Sequence, residues 1–375
     1  IQQGFAAAGA DILLTNTFGG SPITLSEFDL ADRAHEINQR AAELAREALE
    51  EFSRDGTRRY VLGDIGPGTK LPSLGQVDYD ELEAALAVQA AGLLAGGVDG
   101  IMIETVQDIM QLKAAVNGAR IAMAAAGREV PLITQVTVET TGTMLVGTDI
   151  AGAATVIHAL GVEAMGLNCA TGPREMAEHV RWLSEQWPGI ISIQPNAGLP
   201  ELVDGQPSYP LAPEELADWA RRFVVEDGVN LIGGCCGTVT THIKALHDML
   251  EGLGQGRRPK PTPRQPEWVP GLASLYGQTP YRQENAYLSI GERCNANGSR
   301  KFRDLLDAED WDACVAIGRD QVKEGSHTLD VCTAFVGRNE VRDMTEVVSR
   351  MRGAVHSPLV IDSTELPVLE EALAL

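Results

Sequence analysis

Seven short, almost wholly apolar runs recur through the first two thirds of the chain, separated by longer stretches rich in alanine and leucine. The runs are ADILLTNTF (10–18), RYVLGDIGP (59–67), GIMIET (100–105), LITQVTVE (132–139), AMGLNCA (164–170), ISIQPNAG (191–198) and NLIGGCC (230–236). Strands that are apolar throughout are buried on both faces, and strands alternating with helices lie parallel in one sheet. The fold class predicted is therefore α/β, a (β/α)8 TIM barrel whose first strand lies before Ile1. An open doubly wound sheet is the alternative, although no G-x-G-x-x-G follows the first visible run.

The pattern breaks between residues 252 and 285, where prolines stand at 259, 261, 263, 266 and 270. Proline at that density opposes helix and sheet and predicts a stiff, extended linker. The basic cluster GRRPKPTPR (256–264) reads as solvated charge on that linker. Alternation then restarts with AYLSIGE (286–292), HTLDVCTA (327–334) and PLVIDST (358–364), with helices expected near 309–324 and 339–352 and a last one cut off at Leu375. The expected organisation is a barrel over 1–251, a linker over 252–285 and the truncated start of a second β/α barrel over 286–375. The chain opens at Ile1 in what reads as mid-fold and stops in an apparent helix, EEALAL, so a piece lacking both ends is expected.

Composition narrows the function. Of 375 residues, 44% are hydrophobic, enough for large cores. The formal charge is −22, from 52 acidic against 30 basic residues, which argues against nucleic acid and anionic lipid as partners. No apolar run reaches the roughly eighteen residues of a membrane span, and no secretory signal opens the chain. A cytoplasmic location is expected, where six cysteines serve metal or catalysis sooner than a disulfide scaffold.

Polar and reactive residues gather at the C-terminal ends of the predicted strands: Asn16, Thr17, Asp64, Glu104, Thr105, Glu139, Asn168, Cys169, Asn196, Cys235 and Cys236. In β/α barrels that face carries the active site. Adjacent side chains of a strand point to opposite faces, so Cys235 and Cys236 meet one ion only where the strand ends and turns. Gly233, Gly234 and Gly237 permit such a turn. Cys169, two strands back, supplies a third thiolate. Three thiolates with one open position suit catalytic Zn²⁺, and their excess negative charge favours an attacking thiolate over an activated water. Alkyl transfer to a thiol is the chemistry suggested. Cys294, Cys314 and Cys332 read as ordinary thiols, and His242 as a helix residue.

GLNCATGP (166–173), PNAGLP (195–200) and IGGCCGT (232–238) resemble, in that order, the homocysteine-binding barrel of the cobalamin-dependent methionine synthases; TNTF (15–18) and VTVETTGTMLVGTD (136–149) agree. IGERCNANGSRKF (290–302), LDVC (329–332) and IDSTE (361–365) resemble the opening strands of that family's pterin-binding barrel. The resemblance implies zinc on Cys169, Cys235 and Cys236, and homocysteine bound by Glu139 (to its ammonium), Asn196, Asn16 and Thr17. Asn196 would offer its amide oxygen to the metal's open position. It also implies a pterin site of Asp362, Asp330, Asn295 and Glu292. The methyl donor would be methyltetrahydrofolate by way of methylcobalamin, carried with reactivation machinery on modules outside this chain. Rival readings are a homocysteine methyltransferase using a sulfonium or betaine donor, another pterin- or corrinoid-linked methyltransferase, and a non-catalytic vicinal-thiol zinc or redox module.

Overall fold

The computed structural model describes residues 1–50, 52, 58–255 and 259–375; Glu51, Arg257 and Arg258, which belong to a predicted helix and to the basic cluster, lie outside them. Two compact units emerge. One comprises Ile1–Leu145 and Ile157–Trp268, the other Val146–Val156 and Val269–Leu375.

In the first unit β1 (Ile12–Leu14), β2 (Tyr60–Ile65), β3 (Gly100–Val106), β4 (Leu132–Val136), β5 (Ala164–Asn168) and β6 (Ile190–Gln194) follow the predicted runs. After β6 a hairpin of β7 (Glu201–Val203) and β8 (Gln206–Ser208) precedes β9 (Leu231–Ile232). The order in the main sheet is β1-β2-β3-β4-β5-β6-β9, every pair parallel. The sheet curls, as in a TIM barrel, so that its edge strands β1 and β9 line one cavity of about 1100 Å³. Helices α1 (Gln2–Ala7), α2 (Pro22–Leu25), α3 (Ala34–Glu50), α4 (Tyr79–Ala95), α5 (Ile109–Ala126), α6 (Ile150–Ala159), α7 (Pro173–Gln186), α8 (Pro213–Val225) and α9 (Thr240–Gly254) complete the alternation, α6 being shared between the two units. Their boundaries have local causes. Asp108 caps α5 by accepting the Met110 N–H, and Gly127 ends it at φ 61°, a left-handed conformation that glycine adopts without strain.

Side-chain alternation along the strands organises the barrel interior. Leu62, Met102, Ile133 and Ala164 form one apolar cluster with Ile12, Leu14 and Leu231. Two residues further along five of these strands the same face carries Asn16, Asp64, Glu104, Gln135 and Gly233. Asn168 and Cys235 follow on β5 and just past β9. The interior thus turns from apolar to polar toward the C-terminal ends of the strands. The opposite face, including Val61, Ile101, Ile103, Met165, Leu167, Ile191 and Ile193, is also buried, which is why the runs read as continuously apolar.

In the second unit β10 (Gly271–Ala273) and β11 (Gln278–Pro280) pair antiparallel. The sequence predicts a strand-free linker here, and the hairpin corrects that expectation. Pro270 precedes the hairpin and Pro280 ends β11, and the N–H groups of Ser274 and Tyr281 bond the Gly277 and Pro270 carbonyls. Val146–Val156 joins this unit through Asp149 N–H to the Tyr276 carbonyl (2.9 Å) and Gln278 Nε2 to Thr155 Oγ1 (2.8 Å). The parallel strands β12 (Ile290–Asn295), β13 (Thr328–Cys332) and β14 (Leu359–Ile361) alternate with α10 (Arg300–Asp307), α11 (Trp311–Lys323), α12 (Glu340–Met351) and α13 (Leu366–Ala374). β12 starts four residues later than the apolar run suggested, because its partner β13 begins opposite Ile290, at Thr328; its register slips between Gly291 and Cys294. Helix α10 was not expected; Ser299 caps it by accepting the Phe302 N–H.

The closest backbone approach in the barrel fixes one glycine. A Cβ on Gly166 would lie 1.7 Å from the Ser192 carbonyl oxygen, across the β5–β6 pair. Gly166→Ala is expected to destabilise the barrel by on the order of 3 kcal/mol, whereas Gly142→Ala, with no atom within 4 Å but a φ of 85°, pays only for backbone strain. Denaturant unfolding of the two variants beside the wild type measures the difference.

Candidate functional site

Cys169, Cys235 and Cys236 converge at the C-terminal mouth of the barrel, all three sulfurs within 4.8 Å of one another. Cys169 Sγ lies 3.7 Å from Cys236 Sγ, and Cys235 Sγ 4.0 Å from Cys236 Sγ. The backbone explains the convergence. Cys235 continues the interior face of β9, whereas Cys169 has the wrong parity for β5. It reaches the mouth because Cys169 and Ala170 adopt φ of 61° and 53°, the left-handed region that non-glycine residues occupy at a cost. The vicinal cysteines are hooked to the loop after β6: Cys235 N–H donates to the Pro195 carbonyl (2.8 Å) and Ala197 N–H to the Cys236 carbonyl (2.9 Å). Asn196 Oδ1 accepts the Cys236 N–H at 3.0 Å, so one lone pair of that oxygen already holds the cysteine turn.

A tetrahedral ion with Zn–S bonds of about 2.3 Å separates its sulfurs by about 3.8 Å. The observed 3.7 and 4.0 Å match that spacing and are far too long for a disulfide. The donor set, three soft sulfurs and no carboxylate, fits zinc. Cys236 is held well below the ordinary thiol range, first by the Cys169 hydrogen bond and then by that of Cys235. Cys235 is pushed up by its bonds to Cys169 and Cys236. The Tyr209 ring packs against Gly237, next to Cys236; a Cβ on that glycine would lie 2.3 Å from the ring.

Beside the sulfurs lies a buried polar network. Asn168, fully buried, donates through Nδ2 to Thr105 Oγ1 (2.7 Å) and Glu104 Oε2 (3.2 Å), with Cys235 Sγ at 3.9 Å; its Oδ1 accepts the Thr105 N–H at 2.8 Å. Glu104 shares a hydrogen bond with Asp64. Burial, before any other cause, raises the Glu104 carboxyl to about 7 and pushes Asp64 well above the carboxylate range. Asp64 therefore keeps its proton, the Glu104 charge adding to the effect of burial.

The other residues named from sequence fall in several places. Asn16 is exposed and lines the same cavity as Cys235. Thr17 is buried, and its hydroxyl donates to the Asp64 carbonyl at 2.6 Å. Glu139 is half-buried in a turn closed by Glu139 N–H to the Thr143 carbonyl (2.9 Å). His242 lies in α9 with Nε2 3.0 Å from the Leu211 carbonyl. In the second unit Asn295 Nδ2 donates to Asp330 Oδ2 (2.7 Å) and Asp362 Oδ2 (3.2 Å), joining three strand ends. Asp330 is raised chiefly by burial, opposed by the Asn295 bond and assisted by the charges of Asp362 and Glu292. Glu292 and Asp362 are exposed. Cys294, Cys314 and Cys332 are buried free thiols. Tyr209 had no signal in the sequence beyond the Asp204–Gly205 turn that precedes it.

The buried acids make a pH prediction. Both folded-state pKa values lie above the unfolded ones, so the folded chain binds more protons and its stability falls as pH rises from about 4 toward 7. Asp64→Asn imitates the protonated acid and is expected to flatten that fall in the metal-free chain, as read from thermal melts across this range.

Comparison with known proteins agrees with this geometry. Residues 1–250 match the family model described as homocysteine S-methyltransferase, and residues 291–375 match that of pterin binding enzymes. Methionine synthases from Mycobacterium tuberculosis and Mycobacterium leprae are each 45% identical over 373 residues, the whole of this chain and 31% of theirs. The chain thus spans about a third of the length of these relatives. The metallated and oxidized forms of the homocysteine methyltransferase MmuM from Escherichia coli share the fold, with TM-scores of 0.55 and 0.54 at 20% identity, over 66% of this chain and 82% of theirs. The chain belongs to the homocysteine S-methyltransferase family, and a pterin-binding segment follows its methyltransferase barrel.

Proposed function

We propose that this chain carries the homocysteine-activating and part of the methyltetrahydrofolate-binding machinery of a methionine-forming methyltransferase. The observation that carries the reading is the trio of sulfurs spaced for one tetrahedral ion at the mouth of a barrel of this family. Cys169, Cys235 and Cys236 are the zinc ligands in this reading. Bound there, zinc supplies a Lewis acid that lowers the pKa of an incoming thiol and keeps the resulting thiolate nucleophilic.

The protein's own residues position the reaction. Left-handed turns at Cys169 and Gly237 aim the sulfurs at one point, and Asn196 fixes the Cys236 backbone. Glu139 pairs with the homocysteine ammonium and Asn16 lines its approach, while Thr17 acts through Asp64 by holding the end of β2. The substrate S–H gives up its proton to solvent at the open mouth, a sulfur lone pair forms the S–CH₃ bond, and the donor keeps the electron pair of the bond that breaks. In the second unit Asp362, Asp330 and Asn295, with Glu292 nearby, offer acceptors and one amide to a pterin ring. In this reading methyltetrahydrofolate would be the methyl source and methylcobalamin, held outside the residues described, would carry the methyl group. The domain limits 1–251, 252–285 and 286–375 belong to the same proposal. The pterin segment disfavours a sulfonium or betaine donor.

Two outcomes test it. Cys236→Ala is expected to lose bound zinc at least about tenfold while circular dichroism stays unchanged, and X-ray absorption of the wild type is expected to gain one sulfur neighbour on adding homocysteine. Reversible Cys235–Cys236 oxidation with no metal uptake would favour the redox-module reading instead. Asp362→Asn is expected to weaken methyltetrahydrofolate binding about tenfold in a chain with a complete second barrel, measured by calorimetry; equal affinity removes Asp362 from the site.

A further inference from the structure

Asn168 is the last residue of β5, is fully buried, and precedes the one cysteine whose parity is wrong for the barrel interior. Its side-chain amide occupies an irregularity in β3. That strand slips register against β4 between Ile103 and Val106, and Thr105, within the slip, stands at φ 57°. The Thr105 N–H donates to Asn168 Oδ1 at 2.8 Å, and Asn168 Nδ2 donates back to Thr105 Oγ1 at 2.7 Å. Two bonds to one residue fix the plane of the amide. The same Nδ2 lies 3.2 Å from Glu104 Oε2 and 3.9 Å from Cys235 Sγ, so the amide ties β3 to the sulfur cluster.

The backbone that follows is held from both neighbouring strand ends. The Asn168 carbonyl accepts the Thr137 hydroxyl at 3.0 Å, and the Cys169 N–H donates to the Gln194 carbonyl at 3.2 Å. The peptide between them cannot rotate without losing both bonds. On the far side, Thr171 N–H donates to the Cys169 carbonyl (2.6 Å) and Asn196 N–H to the Thr171 carbonyl (3.1 Å). Between these anchors lie Cys169 and Ala170, both left-handed and neither of them glycine. Such a pair persists only where its surroundings over-determine it. Were Cys169 extended, it would point away from the interior, because Asn168 before it points inward.

We propose that Asn168 is a positioning residue of the three-sulfur site, whose amide, bonded to Thr105, holds the left-handed turn that carries Cys169 Sγ to 3.7 Å from Cys236 Sγ. The inference rests on the zinc reading above. Asn168→Ala removes the amide; Thr105→Val removes the hydroxyl that orients it and keeps the β-branched shape. Both are loaded with zinc beside the wild type and Cys169→Ser. X-ray absorption counts the sulfur neighbours, and competition with a chelator gives the affinity. The wild type is expected to show three sulfurs and Asn168→Ala two, as Cys169→Ser does, with zinc held at least about tenfold more weakly. The affinity of Thr105→Val is expected to fall between those of the wild type and Asn168→Ala. Three sulfurs at wild-type affinity in Asn168→Ala overturn this inference and leave the zinc reading standing. Where Asn168→Ala fails to fold, Thr105→Val decides in its place by the same criterion. Loss of zinc together with the circular dichroism signal in both variants also overturns it, by assigning the amide to the fold as a whole. A wild type that takes up no zinc overturns the metal reading itself, and this inference with it.

Discussion

The functional geometry depends on a reciprocal backbone hook. The loop after β6 accepts the Cys235 N–H at Pro195 and returns the Ala197 N–H to the Cys236 carbonyl, while the Asn196 side chain takes the Cys236 N–H between them. Three bonds thus fix two consecutive peptide units that no regular strand could present to one point. Adjacent thiols left to themselves diverge, and thiols brought together in oxidising conditions form a disulfide. Here the backbone, and not a covalent bond, sets the sulfur spacing near what a tetrahedral ion requires. A ligand set organised before metal arrives loses less entropy on binding than one that must be ordered by it.

The same mouth must tolerate a large accumulation of negative charge. Three cysteines, half-buried or exposed, and the buried Glu104 and Asp64 lie around it, and ionisation of both acids beside the sulfurs would be costly. The structure reduces the charge by hydrogen bonding. Asp64 holds its proton against Glu104, Glu104 receives the Asn168 amide, and Asn168 turns toward Cys235. The Tyr209 ring packs beside Cys236, against Gly237. Neutral donors therefore flank the sulfurs, where lysine or arginine would pair with the thiolates and compete with a cation for them. The acidic surface charge of the chain is a separate matter and does not reach this site by any contact described above.

Much of this was legible in the sequence, for identifiable reasons. The strands were read correctly because burial on both faces leaves an uninterrupted apolar signature, as in GIMIET, where every residue of β3 is buried. The cysteine trio was legible because glycines bracket the vicinal pair and Cys169 ends another strand. What escaped depended on tertiary contact or on cancelling signals. Tyr209 reaches Cys236 only through a hairpin whose sequence looks like any surface turn. The β10–β11 hairpin hid behind neighbouring prolines, and β12 was placed too early because AYLS is apolar enough for a strand, although the ladder with β13 begins only at Ile290. Asn196 was read as a polar residue near the metal; its backbone-fixing bond is a matter of geometry that spacing does not encode.

The two units apply one topological rule to different chemistry. Each gathers side chains from the C-terminal ends of parallel strands, because alternation puts successive interior residues on one face and the strand ends release them into the mouth. In the first unit the released groups are sulfurs, soft donors that suit a closed-shell metal and a thiol substrate. In the second they are Asn295, Asp330 and Asp362, hard oxygen and amide groups that match the N–H donors of a flat heterocycle and would hold zinc poorly without nitrogen or sulfur. Neither set can do the other's work.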